Sequence, residues 1–178
     1  MNPALAAELK ALAEEDQRVR KPQPGQENEF AIRISTAHMM EWSRVDTANT
    51  DRLREIVARY GWPGRSLVGE EGAQHAWLLA QHADRQLEFQ RKALALLADA
   101  VEQGEATARQ LAYLTDRVRM NEGKEQLYGT QLAGTRDGKV TPWPIENPDE
   151  LDVRRAAVGL EPFEEYIAQW SNLEEPSE

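Results

Sequence analysis

The chain contains no cysteine, which excludes a disulfide framework and any zinc site that depends on thiolate ligands. It also lacks a long apolar run, because no stretch approaches the roughly 20 residues of a membrane-spanning helix. The N-terminal segment carries charged residues where a signal peptide would need an apolar core. These absences predict a cytoplasmic protein with no membrane partner.

Basic residues are scarce relative to acidic ones. The 178 residues include 21 Lys and Arg against 31 Asp and Glu, which gives a formal net charge of −10. Nucleic acids and anionic membranes both bind clustered Lys and Arg, so the balance predicts neither as a partner. The same acidity is compatible with a basic protein partner.

Familiar catalytic signatures are also missing. The chain has no G-x-S-x-G nucleophile motif, no phosphate-binding glycine loop and no dinucleotide-binding fingerprint. The three histidines are therefore the first side chains to consider for proton transfer or metal binding, and they are His38, His75 and His82.

The apolar residues recur mostly at the period of amphipathic helices. We therefore predict a mainly α fold, an irregular bundle of about six to seven helices. A short β-hairpin-like segment is expected near residues 126–145, since Asp137-Gly138 separates two β-compatible runs. Residues 1–170 are expected to form a single helical domain, followed by a disordered tail over residues 171–178.

Three helices are predicted ahead of the central part of the chain: one that begins at Asn2-Pro3 and runs to about Arg18, and two over residues 29–42 and 47–60. Asp46 precedes the last of these and is a candidate for its N-cap. In the alternative, the polar side chains near the start of this helix face inward, and Asn49 joins a polar pocket. The loop around Trp62 would then cover that pocket or merely pack against it.

The stretch from Gly61 to Gly104 contains the longest apolar-periodic segment. A helix is predicted to begin near Gly69–Gly72, and His75 and His82 lie on one of its faces among leucines and glutamines. Buried polar groups need partners, so this face either meets other polar side chains or lines a pocket. The pattern leaves open whether one long helix follows or a helix kinked near Ala83.

The histidine spacing argues against a metal site. His75 and His82 are seven residues apart, about 10.5 Å along a helix, whereas two ligands of one ion need a separation of three or four residues. His38 and Glu41 have the shorter spacing, but a third ligand would have to come from elsewhere in the chain. We expect no metal and no cofactor.

His82 is the natural candidate for acid–base chemistry, because an unperturbed imidazole has a pKa of about 6.5 and can accept or release a proton near neutrality. Asp116 is the candidate for its orienting carboxylate, with Arg117 beside it as a binder of an anion or a carbonyl group. The alternative is a purely structural role, in which these three residues form a buried polar network that ties two helices together.

Three segments together resemble a bacterial domain family of unknown function: GWPGRSLVGEEGAQHAWLLAQHAD, AYLTDRVRMNEGKEQLYGTQ and PIENPDELDVRRAAVGLEPFEEYI. The resemblance covers roughly Trp42 to Ile167. It implies that the family's motif set includes Gln81-His82-Ala83-Asp84, Asp116-Arg117 and Gln126–Gln131. It implies no activity.

The segment Gln126–Gln131 has two interpretations. Gly129 permits close approach of the backbone, and the neighbouring Tyr, Thr and Gln side chains offer hydrogen bonds without net charge, which suits a polar neutral or zwitterionic ligand. Alternatively, it is an ordinary strand of the hairpin. As substrate contacts we predict Gln81, Asp84, Gln126, Tyr128, Gln131, Asn49 and Trp62.

Two function hypotheses follow. The leading one is a small-molecule-binding domain, with a possible metal-independent enzyme of the hydrolase or isomerase/cyclase type in which His82, Asp116 and Arg117 do the chemistry. The other is an acidic protein-interaction module, of the immunity or inhibitor kind, with no catalytic activity and a basic protein partner.

Overall fold

The computed structural model describes residues 1–21, 36–136 and 139–171. It is 71% helical, with seven α-helices and a two-stranded antiparallel sheet in the described part, which confirms the predicted mainly α class. The chain divides into two compact units, Met1–Glu105 and Ala106–Glu178.

The prediction of one domain over residues 1–170 stays a prediction. Residues 172–178, most of the predicted tail, lie outside the described residues. Within the described part, no helix has both the length and the apolar character needed to cross a membrane.

Four helices make up the first unit: α1 (Pro3–Arg20), α2 (Thr36–Tyr60), α3 (Arg65–Gln81) and α4 (Leu87–Glu102). Helix α1 begins as its sequence predicts, since the side chain of Asn2 accepts a hydrogen bond from Leu5 N at 3.1 Å and proline occupies the first helical position. Its apolar stripe, which includes Leu5 and Leu9, is buried against α2 and α3.

Helix α2 corrects the boundary predicted near Asp46. The helix continues from Thr36 to Tyr60, so the prediction that Asp46 caps a helix beginning at Thr47 is wrong. The side chain of Asp46 accepts from Arg20 NH2 at 2.8 Å instead of capping, and Thr50 Oγ1 bonds back to the carbonyl oxygen of Asp46 at 2.7 Å within the continuous helix. Residues 29–35 of the other predicted helix lie outside the described residues.

The central stretch forms two helices. Gly69 has φ 75° and ψ 173°, which only glycine adopts readily, and the regular part of α3 follows it, within the predicted Gly69–Gly72. Helix α3 ends at Gln81, and α4 begins five residues after His82. Gln90 fixes the turn between them, because its Nε2 donates to Gln81 O at 3.1 Å and to Asp84 Oδ1 at 3.2 Å.

The second unit contains α5 (Ala108–Asn121), strands β1 (Leu132–Arg136) and β2 (Lys139–Pro142), a 3₁₀ turn (Pro148–Glu150), α6 (Leu151–Ala157) and α7 (Phe163–Ser171). Thr107 and Gln110 form a capping box at the start of α5. The strands pair antiparallel, with Arg136 opposite Lys139, which confirms the predicted hairpin.

Candidate functional site

His82 is held by a carboxylate from another helix. Its Nδ1 lies 2.9 Å from both side-chain oxygens of Asp16, on α1. Because an ionised carboxylate can only accept, Nδ1 is the protonated nitrogen, and in the neutral imidazole Nε2 then carries the free lone pair. The His82 side chain is 20% exposed, whereas that of Asp16 is 1% exposed. No residue in the described part of the chain contacts Nε2 through a hydrogen bond.

The contact belongs to a network of charged side chains, in which Arg20 lies between two carboxylates. Arg20 NH1 donates to Asp16 Oδ1 at 2.6 Å, and Arg20 NH2 donates to Asp46 Oδ1 at 2.8 Å. Gln17 Nε2 donates to the other oxygen of Asp16 at 2.8 Å. Burial raises the pKa of Asp46, and the bond from Arg20 opposes that shift. When His82 is neutral, the charged groups of this network are two carboxylates and one guanidinium.

Sequence reasoning missed Asp16. It is separated from His82 by 66 positions in the sequence, and several other acidic residues lie near it in the chain. One signal was present, because Asp16 lies on the same helical stripe as Leu9 and Ala13, which are buried. A charged residue in phase with an apolar stripe must find a partner in the core.

Two predicted substrate contacts flank His82 in the chain. The amide Nε2 of Gln81 is buried and has no hydrogen-bond partner among the described residues, although the side chain is 7% exposed overall. A buried amide donor without a partner needs an acceptor from water or a ligand. Asp84 is partly buried and accepts the bond from Gln90 that fixes the turn.

Two other predicted contacts also lie in the first unit. Asn49 is buried, and its Nδ2 donates to the carbonyl oxygen of Leu12 at 3.3 Å, so this side chain ties α2 to α1. The indole Nε1 of Trp62 is buried and has no hydrogen-bond partner in the described part of the chain. A role for Asn49 or Trp62 in ligand binding stays a prediction.

Asp116 belongs to the second unit, where it organises a loop. Its carboxylate accepts from the backbone N–H groups of Leu127 at 2.7 Å, Tyr128 at 3.1 Å and Thr130 at 3.0 Å, and from the hydroxyl of Thr130 at 2.9 Å. Burial raises the pKa of Asp116, while these hydrogen bonds oppose the shift. The carboxylate therefore fixes the conformation of the predicted motif segment Gln126–Gln131.

The two glutamines of this segment bond within the same unit. Gln126 is fully buried, and its side chain donates to Gln131 O at 3.0 Å and Trp143 O at 2.7 Å while accepting from Gln131 N at 2.8 Å. Gln131 Nε2 donates to Thr130 Oγ1 at 3.0 Å, and its Oε1 accepts from Arg117 NH1 at 3.0 Å. Their amides thus connect the loop to α5 and to the segment after the hairpin.

Tyr128 is fixed through its backbone. Its carbonyl accepts from Arg155 NH1 at 2.6 Å, opposite the bond from its N–H to Asp116. The next residue, Gly129, has φ 68°, and a Cβ there would lie 2.7 Å from Cε2 of Phe163. Only glycine fits this position, which explains one part of the Tyr-Gly-Thr-Gln pattern.

The residues considered for a metal site are dispersed. Among residues 1–21, 36–136 and 139–171, no group of three or more His, Asp and Glu side chains could hold a metal ion. Glu41 accepts a bond of 2.7 Å from Arg18, and the ring of His38 packs edge-on against Trp42. The expectation of a metal-free site stays a prediction.

Comparison with known proteins establishes the family and no activity. The model of a family of unknown function, DUF6624, matches residues 3–174, which is nearly the whole chain. No curated protein and no solved structure gives a significant match. The resemblance to a family of unknown function is thereby confirmed, and the chain belongs to DUF6624.

Proposed function

We propose that the first unit binds a polar small molecule and that His82 Nε2 transfers a proton to or from it without a metal ion. The observation that carries the proposal is the geometry of one pair: Asp16 is buried and holds Nδ1 at 2.9 Å, while Nε2 has no partner among the described residues. This is the arrangement that makes an imidazole an oriented general base.

Asp16 takes the role that the sequence suggested for Asp116. A buried carboxylate on Nδ1–H fixes the tautomer and the ring orientation, and it stabilises the imidazolium that forms when Nε2 accepts a proton. Both oxygens of Asp116 already accept bonds from the loop at residues 127–130. Asp116 and Arg117 accordingly belong to the architecture of the second unit.

Gln81 is the proposed ligand contact beside the histidine. Its buried Nε2 lacks an acceptor in the described structure, and a carbonyl or hydroxyl oxygen of a ligand would supply one. Arg20 has a positioning role, because it bonds Asp16 and Asp46 at once and its guanidinium lies 4.9 Å from the centre of the Trp42 ring. The reaction type remains hydrolysis, or isomerisation or cyclisation.

The competing account is that His82, Asp16, Arg20 and Asp46 form a structural ion network. Such a network shifts pKa values and binds no ligand, so a stability measurement alone does not separate a binding site from a structural network. A binding measurement separates the two accounts, because only a ligand site loses affinity when His82 Nε2 is removed and the fold is kept.

The test is an NMR screen of neutral and zwitterionic small molecules against the ¹⁵N-labelled protein. The His82→Gln variant is compared with His75→Gln, which replaces the histidine two helical turns earlier on α3. We expect binders whose shifts centre on His82 and Gln81, and whose affinity falls about tenfold or more in His82→Gln and stays unchanged in His75→Gln.

Equal affinity of every binder for His82→Gln and the wild type would contradict the proposal. A screen in which no small molecule binds the folded wild-type protein would favour the interaction-module hypothesis. That hypothesis would then be tested with basic proteins as partners.

A further inference from the structure

One cavity of the first unit has several cationic side chains in its lining. Its volume is about 630 Å³, and it lies at the start of α4. Three cationic residues line it, Arg54, Arg85 and Lys92, against one carboxylate, Glu88. Because Arg54 is paired with Asp51, Arg85 and Lys92 against Glu88 leave a local excess of one positive charge, in a chain whose net charge is −10.

Arg54 is held in place before any ligand arrives. Its NH1 donates to Asp51 Oδ1 at 2.8 Å, its NH2 bonds the side-chain oxygen of Gln86, and its guanidinium lies 5.4 Å from the centre of the Phe89 ring. These contacts come from α2, from the turn and from α4. The guanidinium therefore keeps one orientation at the cavity wall, which lowers the entropy cost of binding.

Arg85 and Lys92 supply charge that the described structure does not neutralise. Both side chains are exposed, and neither makes an ion pair or hydrogen bond with the described residues. Arg85 also lines an adjoining cavity of about 650 Å³ along α2, so it stands between two recesses. An arginine on a fixed turn, accessible from two sides, can present its planar donors to an incoming anion.

The turn that carries Arg85 is rigid. Gln86 Nε2 donates to Asp51 Oδ1 at 3.2 Å, and Gln90 Nε2 donates to the carbonyl oxygens of Ala80 and Gln81 at the end of α3. The side chain of Gln86 makes no capping bond to α4.

We propose that this cavity binds the phosphate group of a phosphorylated small molecule. Arginine matches phosphate through paired N–H donors and lysine acts as a point charge, and the cavity offers both. The volume is that of a small-molecule site. The proposal does not depend on proton transfer by His82, which lies three residues before Arg85.

The test is an NMR titration with inorganic phosphate and with pyrophosphate, in a non-phosphate buffer at about 0.15 M salt to screen distant charges. Saturable shifts are expected at the amides of Arg85, Gln86, Leu87 and Glu88. Arg85→Gln and Lys92→Gln should each weaken binding about fivefold or more, and Glu88→Gln should strengthen it. The matched control is Arg59→Gln, which removes the same charge from α2 outside the cavity.

Two outcomes would overturn the proposal. One is a linear, non-saturating response, which is general screening by an anion. The other is a loss of affinity in Arg59→Gln equal to that in Arg85→Gln, which would mean that net charge and not the cavity attracts the probe. The His82→Gln variant should bind both probes like the wild type, so failure of the acid–base proposal leaves this one intact.

Discussion

Asp16 and Asp116 are both fully buried carboxylates, and they differ in what satisfies them. Asp116 accepts from backbone N–H groups and a hydroxyl of one loop, none of which titrates near neutrality. Asp16 accepts from an arginine, a glutamine amide and an imidazole whose other nitrogen faces outward. A buried carboxylate bonded by backbone organises a loop, whereas one bonded by an imidazole with a free nitrogen can take part in proton transfer.

Asp116→Ala should show the largest effect. The substitution leaves three backbone N–H groups and one hydroxyl without an acceptor in a buried site, so we expect a loss of about 5 kcal/mol in the free energy of unfolding. Urea unfolding followed by circular dichroism measures it. The exposed Asp149→Ala is the control, and a loss below about 1 kcal/mol in Asp116→Ala would show that the loop does not depend on the carboxylate.

Gly129→Ala should cost about 3 kcal/mol, because it combines a positive φ with a Cβ only 2.7 Å from the ring of Phe163. Gly123→Ala is a matched control, since that glycine has φ 72° with nothing within 4 Å of the position an alanine Cβ would take, and it should cost about 1 kcal/mol. The difference between the two thermal or urea unfolding curves isolates the clash. Equal losses would contradict the tight packing of the loop against α7.

Asp16→Asn should cost about 2 kcal/mol, less than the Asp116 change. Asparagine keeps one acceptor for His82, and Arg20 keeps its bond to Asp46, so only one charged hydrogen bond is lost. If Asp16 instead served mainly to hold the fold, the loss would match that of Asp116→Ala. The same urea series therefore compares the two carboxylates directly.

The pH dependence of stability is the smallest expected effect. A carboxyl whose pKa is raised in the folded state binds its proton more tightly there than in the unfolded chain. Its contribution is therefore full below the ordinary carboxyl pKa and decreases as pH rises through the raised value. Burial raises the pKa of Asp46 in this way, so Asp46→Asn should flatten the decline above the ordinary carboxyl pKa, and the exposed Asp99→Asn should not. Parallel curves for the two variants would contradict the buried position of Asp46.

Local signals predicted much of the fold. Asn2-Pro3 and Thr107 act through contacts within four residues, and the helices that follow them begin where the sequence indicates. The predicted break before Thr47 failed because the side chain of Asp46 bonds to Arg20 instead of capping, while the hydroxyl of Thr47 bonds back to the carbonyl oxygen of Ser43 in a continuous helix.

The site could be predicted only in part. His82 was identifiable by its chemistry, but its partner was not, since Asp16 is 66 positions away and pairing at that distance leaves no periodic trace. Asp116 was predicted as the partner of His82 and Gln126–Gln131 as a separate segment, because the sequence does not show that backbone N–H groups of that segment bond to the carboxylate. That bonding depends on a loop conformation that Gly129 makes possible.

The tautomer of His82 tests the central claim most directly. A long-range ¹H–¹⁵N spectrum of the imidazole rings, recorded where the ring is neutral, separates protonated from unprotonated nitrogens for the three histidines. We predict a protonated Nδ1 and a free Nε2 on His82, with that preference lost or weakened in Asp16→Ala, which removes the acceptor. A protonated Nε2, or a spectrum unchanged by Asp16→Ala, would contradict the assignment of Asp16 as its orienting carboxylate and remove the basis for proton transfer at this site.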